Sequence, residues 1–551
     1  MKFVKMKQEA GKLEQVSPVG RGGSSRIGSI LGIVRSLGMW RGCIWSSLLV
    51  VLLMVLLVPY FRVALALSRR VLHPFVGIPI SALPVIGVSF LVLVSLLRPV
   101  WALAGFFAVA PLANGLVARL VLGSATFHHK AGMFWVEPLF LSLAIGLLLR
   151  RAALSEPLNS KRPEAAVGFY AVVVLTSLVL FSFQSPWWWD RLRLAWLHIP
   201  RMRQLSPNHS VRAGLLILGS LLCYRLTFER LRTSKEIQLV CRGWLFGGLL
   251  MGLYGLRDWA RRGGTMYLPL ESMLDDANSY GSYLVLTLFV AWGEYLAEKE
   301  LWARAMAGLT LLLTVWMIPL SGSRIAIIAA TVGAGMTWMI LARPGRERWI
   351  KGCVLAAIAS AILLFPFIVG SRAVIKEAFQ KHPRLFSAGL YRVAQAMDAR
   401  LVLKAWWELR QALSAAGLRM IVDKPAFGQG PGTFYANLGQ YYRPGDEGWM
   451  PPYENAHNYF VQVAAETGVL GLAGFLWSVC GVMVPGFMGV PIEERRRIRL
   501  LTIGAGGYLF TALAQHPLVL SEQAFLFWGY LGILAACSRL NQAPPSASSP
   551  V

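Results

Sequence analysis

Trp45-Ser46-Ser47-Leu48-Leu49-Val50-Val51-Leu52-Leu53-Met54-Val55-Leu56-Leu57-Val58 contains no charged residue and only two hydroxyl side chains. A helix needs about 20 mostly apolar residues to cross the hydrocarbon core of a bilayer, and runs of this kind recur along almost the whole chain. The composition agrees. Of 551 residues, 56% are hydrophobic and 15% are charged, against about 25% charged in an ordinary soluble domain, and the mean hydropathy is +0.54. These values predict an all-α polytopic membrane protein with about 12–14 transmembrane helices and one large, partly helical outer loop.

Spans are predicted at 44–61, 76–97, 99–122, 132–149, 165–183, 211–226, 240–256, 279–296, 303–321, 324–341, 350–370, 458–487, 500–518 and 522–537. Alternating them from a cytoplasmic N-terminus puts Arg150-Arg151, Arg230 to Lys235, Arg343 to Lys351 and Arg495-Arg496-Arg497 on the inner side, as the positive-inside bias requires. The resulting organisation is a basic cytoplasmic tail (1–43), a transmembrane region (44–370), a large outer loop (371–456), C-terminal transmembrane helices (457–538) and a disordered tail (539–551). The outer loop far exceeds an ordinary connection and is therefore expected to be functional. Its apolar residues Leu390, Val393, Met397, Leu401, Ala405, Leu409 and Leu413 predict a helix over 390–418, with Trp406 and Trp407 at headgroup level.

The net charge of +27 orients the chain in the membrane and attracts anionic headgroups. Nucleic-acid binding is not expected, because no soluble basic module accompanies that charge. The six cysteines all lie in or beside apolar segments, so neither a disulfide framework nor a zinc site follows from their spacing.

Four features carry possible chemistry. His457 stands where the loop meets a span, on a helix expected to begin near Asn455; in its first turn the positive helix end would favour a neutral imidazole able to act as a general base. Asn458, Gln462 and Glu466 recur at a spacing of four as a polar stripe, in which Glu466 either orients a substrate or, as the favoured reading, locks helix packing. Arg324, after Ser321-Gly322-Ser323, sits between two spans on the outer side, suited to bidentate phosphate binding or to snorkelling at the interface. In the outer loop, Arg410 precedes the turn Gly428-Gln429-Gly430-Pro431-Gly432-Thr433-Phe434, whose amides, that of Gly430 included, are candidates for close approach to a ligand.

Taken together, these residues resemble the bacterial O-antigen ligase and O-antigen polymerase superfamily. His457-Asn458 followed by Gly468 and Gly471 is similar to its histidine signature; Ser323-Arg324, Arg410 fifteen residues before Pro425, the Gly-x-Gly-Pro-Gly-x-Phe turn and Asp276-Ala277-Asn278 agree in order. Ser414 stands where the family carries an aromatic, so Arg400 is a second candidate for the loop arginine. The resemblance implies a multi-pass protein of the bacterial inner membrane with its active site on the periplasmic face. It further implies glycosyl transfer from an undecaprenyl-pyrophosphate-linked glycan to a lipid-linked or glycan acceptor, without cofactor or metal. On that implication His457 is the base, and Arg324 with Arg410 or Arg400 binds pyrophosphate; Asn458, Ser323, Gly430 and Glu466 support them. A ligase is the first expectation, with a polymerase or a protein O-oligosaccharyltransferase as alternatives. A secondary transporter or lipid flippase, from a different class, calls for ionisable residues near mid-membrane and paired broken helices, whereas the unusual charges here gather at the outer edge.

Overall fold

The computed structural model describes residues 46–54, 82–122, 136–154, 163–183, 208–261, 272–274, 276–341, 399–443, 454–488 and 495–542, together with Gly345 and Ile350. Among these residues all regular structure is helical, and the protein is an all-α polytopic membrane protein. Residues 46–54 form α1. The chain continues through α2 (Ala82–Leu97), α3 (Pro99–Leu122), α4 (Val136–Leu154), α5 (Pro163–Phe183), α6 (Asn208–Arg230) and α7 (Ser234–Arg261). There follow α8 (Ala277–Ala297), α9 (Leu301–Ser321), α10 (Arg324–Leu341), α11 (Ala399–Asp423), α12 (Tyr459–Met488), α13 (Arg495–Ala512) and α14 (Ser521–Gln542). The predicted span 350–370 lies outside the described residues except for Ile350, as do the N-terminal tail and most of the outer loop before Ala399.

By length and composition, α7, α9 and most of α6 and α12 suffice to cross a bilayer, and α2, α3, α5 and α10 contribute shorter apolar stretches. Packing separates central helices from peripheral ones. In α8 almost every residue is buried, with Tyr280, Tyr283, Leu284, Val285, Leu286 and Phe289 fully enclosed, and it packs against α7, α9, α10 and α13. On α9, by contrast, Leu312 is 70% exposed, Val315 56% and Trp316 54%, an outward apolar face that suits lipid rather than water. Close contact relies on small residues: a Cβ on Gly243 of α7 would lie 2.2 Å from the carbonyl oxygen of Ala104 on α3.

The ends of the bundle differ in chemistry. At one end, Arg497 of α13 pairs with the buried Glu294 of α8, Arg242 of α7 forks onto Glu298 at 2.8 and 2.9 Å, and Arg539 donates to the Leu231 carbonyl at 2.5 Å. At the other end meet the starts of α8, α10, α12 and α14 and the ends of α9 and α13, joined by bonds such as Gln523 Nε2 to the Ser279 carbonyl at 3.0 Å. That second end contains the residues singled out by the sequence.

Three boundaries differ from expectation. The loop helix runs to Asp423 rather than Leu418, because Gly417 serves close packing rather than helix termination: its Cβ would lie 2.5 Å from Val461 of α12. Helix α13 stops at Ala512 rather than near 518, and a non-α-helical connection with a 3₁₀ turn at Pro517–Val519 reaches α14. The third is at the start of α12, which begins at Tyr459 and not near Asn455. Asn458 Oδ1 accepts from the amides of Phe460 at 3.0 Å and Val461 at 3.2 Å, so Asn458 is the cap and His457 precedes the helix.

Helix α12 is broken at Gly468, whose φ of 74° and ψ of −179° lie in a region open essentially to glycine alone. A Cβ there would also stand 2.1 Å from the Ala426 carbonyl oxygen. Gly468→Ala should therefore destabilise the protein by about 2–4 kcal/mol, combining backbone strain with a clash. Gly481→Ala, where a Cβ meets nothing within 4 Å, should be neutral or slightly stabilising. Thermal unfolding of the detergent-solubilised variants checks both; equal midpoints would show that the break tolerates a side chain.

Candidate active site

The site is assembled from helix ends and from the loop helix. Helix α11 lies along α12 through a small core of its own: Leu413, Ala416, Met420, Phe434, Leu438, Ala456 and Ala465 are all buried. The buried positions of α11 recur every three or four residues, while Leu418 and Val422 point outward. The glycine-rich turn after α11 is fastened to the break in α12. Gln429 N donates to the Ala465 carbonyl and Gly430 N to the Glu466 carbonyl, each at 2.9 Å, and Val469 N returns a bond to the Pro425 carbonyl at 2.8 Å. Ser177 of α5 donates to the Phe427 carbonyl at 2.6 Å and to that of Glu466 at 3.1 Å.

Glu466 completes this joint. Its carboxylate accepts from the amide of Gly432 at 2.8 Å, from Gln462 Nε2 at 3.0 Å and from the amide of Phe434 at 3.4 Å. Of the expected stripe, Gln462 meets Glu466 and also donates through Nε2 to Asn455 Oδ1 at 3.1 Å, whereas Asn458 caps the helix. The turn amides expected to approach a ligand are thus engaged within the protein; Gly430, with φ of 109° and packed on Phe181, shapes the joint. A second brace links Gln429 Nε2 and Tyr441 Oη to Asp423 Oδ2, both at 2.7 Å. The two hydrogen bonds hold the Asp423 carboxyl below its ordinary range, while burial and Asp423 push the Tyr441 phenol up to about 12.

His457 sits just before α12 with a left-handed backbone, φ 48°. Its Nε2 lies 3.7 Å from Glu454 Oε1, an ion-pair distance rather than a hydrogen bond. Its ring packs edge-on against His516, with centroids 5.0 Å apart and planes at 66°. Burial holds the His457 pKa below the usual 6.5; Glu454 and Asp276 oppose that shift, and the charge of Arg410 adds to it. Desolvation therefore does the work that the sequence reading assigned to a helix N-terminus.

Arg410 of α11 reaches across to α13's end and donates to the Ala514 carbonyl at 2.6 Å. Burial and the neighbouring charge of Arg324 hold its pKa down to about 10. Arg324 opens α10, following the left-handed Gly322 that ends α9. The buried Ser323 accepts the Ile327 amide through its carbonyl and the Gln515 side chain, at 3.0 Å, through Oγ. The structure thus brings together His457, Arg410, Arg324 and Ser323. Arg400 lies in the first turn of α11, ten residues before Arg410; its side chain, like those of Trp406 and Trp407, lies outside the described residues.

Residues 309–476 match the family model for O-antigen ligase, a stretch that contains Arg324, Arg410, His457 and Glu466. This domain match supports the resemblance to the O-antigen ligase and polymerase superfamily. No curated protein matches the chain. With the membrane helices, the match supports a bacterial membrane protein and, in general, O-antigen ligase or polymerase-like glycosyl transfer on lipid-linked glycans.

Two contributors come from beyond the matched stretch, and one of them escaped the sequence reading altogether. Asp276 caps α8, its Oδ2 accepting Ser279 N at 2.7 Å, and its charge reaches both histidines. His516, in the connection between α13 and α14, is half-buried, and desolvation together with His457 and Arg410 lowers its pKa to about 4. The available signal was Gln515-His516-Pro517: a proline forbids continuation of a helix through that point, leaving two polar side chains at a membrane edge.

Two of the three bonds that Glu466 accepts, from the amides of Gly432 and Phe434, close the joint between turn and helix. Glu466→Ala leaves buried donors unpaired and should lower stability by about 2–5 kcal/mol, whereas Glu466→Gln, which retains one acceptor oxygen, should cost roughly half as much. Thermal melts of the two purified variants test this, and an Ala variant as stable as wild type would remove the structural role.

Proposed function

We propose that the protein transfers a polyprenyl-pyrophosphate-linked oligo- or polysaccharide to an acceptor hydroxyl on the periplasmic face of the bacterial inner membrane, as an O-antigen ligase does. The observation that carries this reading is the meeting of one partly exposed imidazole with two guanidiniums at the end of the bundle opposite the basic helix ends. The positive-inside bias assigns the basic end to the cytoplasm and hence the site to the external side. On this reading the chain is organised as a tail (1–43), a transmembrane region (44–370), a catalytic loop (371–456), C-terminal helices (457–538) and a second tail (539–551), with α14 carrying its helix on to Gln542, past the boundary expected at 538.

The chemistry follows from the charges. His457, neutral near pH 7, takes the proton of the acceptor hydroxyl as its oxygen attacks the anomeric carbon of the donor sugar. The bond from that carbon to the pyrophosphate oxygen breaks, and the carrier pyrophosphate leaves with the electron pair. Arg324 and Arg410 hold the phosphates and offset the charge that grows on the leaving group. Two like charges placed close together raise each other's cost, and an anion between them relieves it. Arg400 stands by as the second loop cation. Asn458, Ser323, Gly430 and Glu466 hold the three reacting-site residues without touching substrate. Lipid pyrophosphate is already an activated leaving group, so neither a divalent metal nor a nucleotide is required.

His457→Ala should abolish transfer in membranes while membrane insertion and abundance stay near wild type; full transfer would remove the base. Arg324→Lys should lower kcat/KM at least about tenfold, since an ammonium lacks the planar fork for two phosphate oxygens; unchanged donor affinity would refute that role. Because burial lowers the His457 pKa, the acid limb of the rate profile should lie below pH 6.5, with the base form already dominant at neutrality. A limb at or above 6.5, measured on transfer rate between pH 4.5 and 8, would contradict it. Deletion of the gene should leave long glycans unattached on the carrier; single repeat units would indicate a polymerase, and loss of glycoprotein with intact surface polysaccharide would indicate a protein glycosylase.

A further inference from the structure

Three consecutive residues of the α13–α14 connection each contact a different part of the proposed machinery. The Ala514 carbonyl accepts from Arg410 Nη1 at 2.6 Å. Gln515 Nε2 donates to Ser323 Oγ at 3.0 Å, beside Arg324, and to Asn278 Oδ1 at 3.4 Å, while its Oε1 accepts from Ser282 Oγ at 3.2 Å. His516 packs edge-on against His457, ring centre to ring centre 5.0 Å. None of the three residues lies within the stretch that matches the family.

We propose that Ala514-Gln515-His516 is the template that sets the spacing of Arg410, Arg324 and His457, with His516 the positioning residue for the His457 ring. The inference rests on the proposed transferase reading and adds to it a determinant supplied by the C-terminal helices. The template is itself rigid. Its backbone turns at once into the 3₁₀ segment Pro517–Val519, with Val519 N donating to the His516 carbonyl at 3.1 Å. Gln515 is buried and ties the connection to α8 and to the start of α10. His516 Nδ1 is buried without a hydrogen-bond partner among the described residues, so this ring is held by its packing and its backbone.

The left-handed backbone of His457 leaves its ring without a helix to define it. The ring is bounded instead by Glu454 on its own segment and by His516 from the α13–α14 connection. The charged groups around the pair are Asp276 from the start of α8 and Arg410 from α11, with Glu454 beside His457 and Arg324 behind Arg410. Removing the His516 ring opens space beside His457 and lets water reach it. The base then loses its orientation and part of the desolvation that keeps it neutral.

The test is kinetic, on full-length protein in native membranes or detergent with a lipid-pyrophosphate glycan donor. His516→Ala should lower kcat about 10–100-fold with donor KM within about twofold, the scale expected when a reacting group loses its orientation. It should also move the acid limb of the rate profile upward. His516→Phe restores a ring and the water exclusion, so its limb should stay at the wild-type pH and its kcat should lie above that of the Ala variant. Gln515→Met should instead raise donor KM through Ser323 and Arg324. Wild-type kcat and limb in His516→Ala would overturn the inference, as would equal losses in the Ala and Phe variants with an unmoved limb. Where His457→Ala is inactive but His516→Ala is unimpaired, only the template fails; where His457→Ala is active, the transferase reading itself fails.

Discussion

The bond pattern around Glu466 is the constraint on which the rest of the site depends. A carboxylate within an apolar helix is expensive unless its oxygens are satisfied, and here two backbone amides and one side-chain amide meet them. Two of those donors belong to the turn after α11, so satisfying the charge and docking the turn are one event. The break at Gly468 exposes carbonyls that a continuous helix would have used internally, and the turn's remaining amides take two of them. Position is thereby transmitted from a membrane helix to an extramembrane one. Arg410 reaches Ala514 only because α11 is laid against α12 in this register.

Charge is distributed along the bundle with the same economy. At the basic end, arginines are matched by Glu229, Glu294 and Glu298, and bidentate or buried pairing makes them fixtures of the fold. At the other end, burial and the charge of Arg324 lower the pKa of Arg410, and the carboxylates nearest the histidines, Asp276 and Glu454, raise imidazole basicity without reversing the effect of burial. The imidazole stays available for a proton while the guanidiniums stay charged, since a pKa of about 10 still leaves Arg410 cationic at neutral pH. A base and two anion-binding groups thus coexist without neutralising one another.

Hydrophobic runs made the helical spans legible because twenty-residue apolar segments have few other fates in a chain so rich in them. The His457, Arg324 and Arg410 positions were legible for a different reason: each is a polar group at a boundary where stability alone gives it little purpose. Local geometry was harder to read. The start of α12 was misjudged because Asn455 and Asn458 are equally good caps on paper, and only the three-dimensional turn selects the later one. Gly417 is where α11 must approach Val461, a close contact that only the folded chain reveals. His516 was hidden because Leu513 and the run from Pro517 to Leu520 make its surroundings apolar enough to extend a span through it.

That last failure has a physical lesson about where such a site keeps its information. Motifs report residues whose identity is constrained by chemistry, and these lie within one contiguous stretch of the chain. The distances between them are set elsewhere, by helix ends that converge only after folding: α8 supplies Asp276 and Asn278, and the α13–α14 connection supplies the contacts to Arg410, Ser323 and His457. A side chain that spaces others needs no particular motif, only a rigid seat and the right reach. Such residues become visible when contacts are traced outward from the reacting groups, and the short polar interruption between two apolar helices is where that tracing leads here.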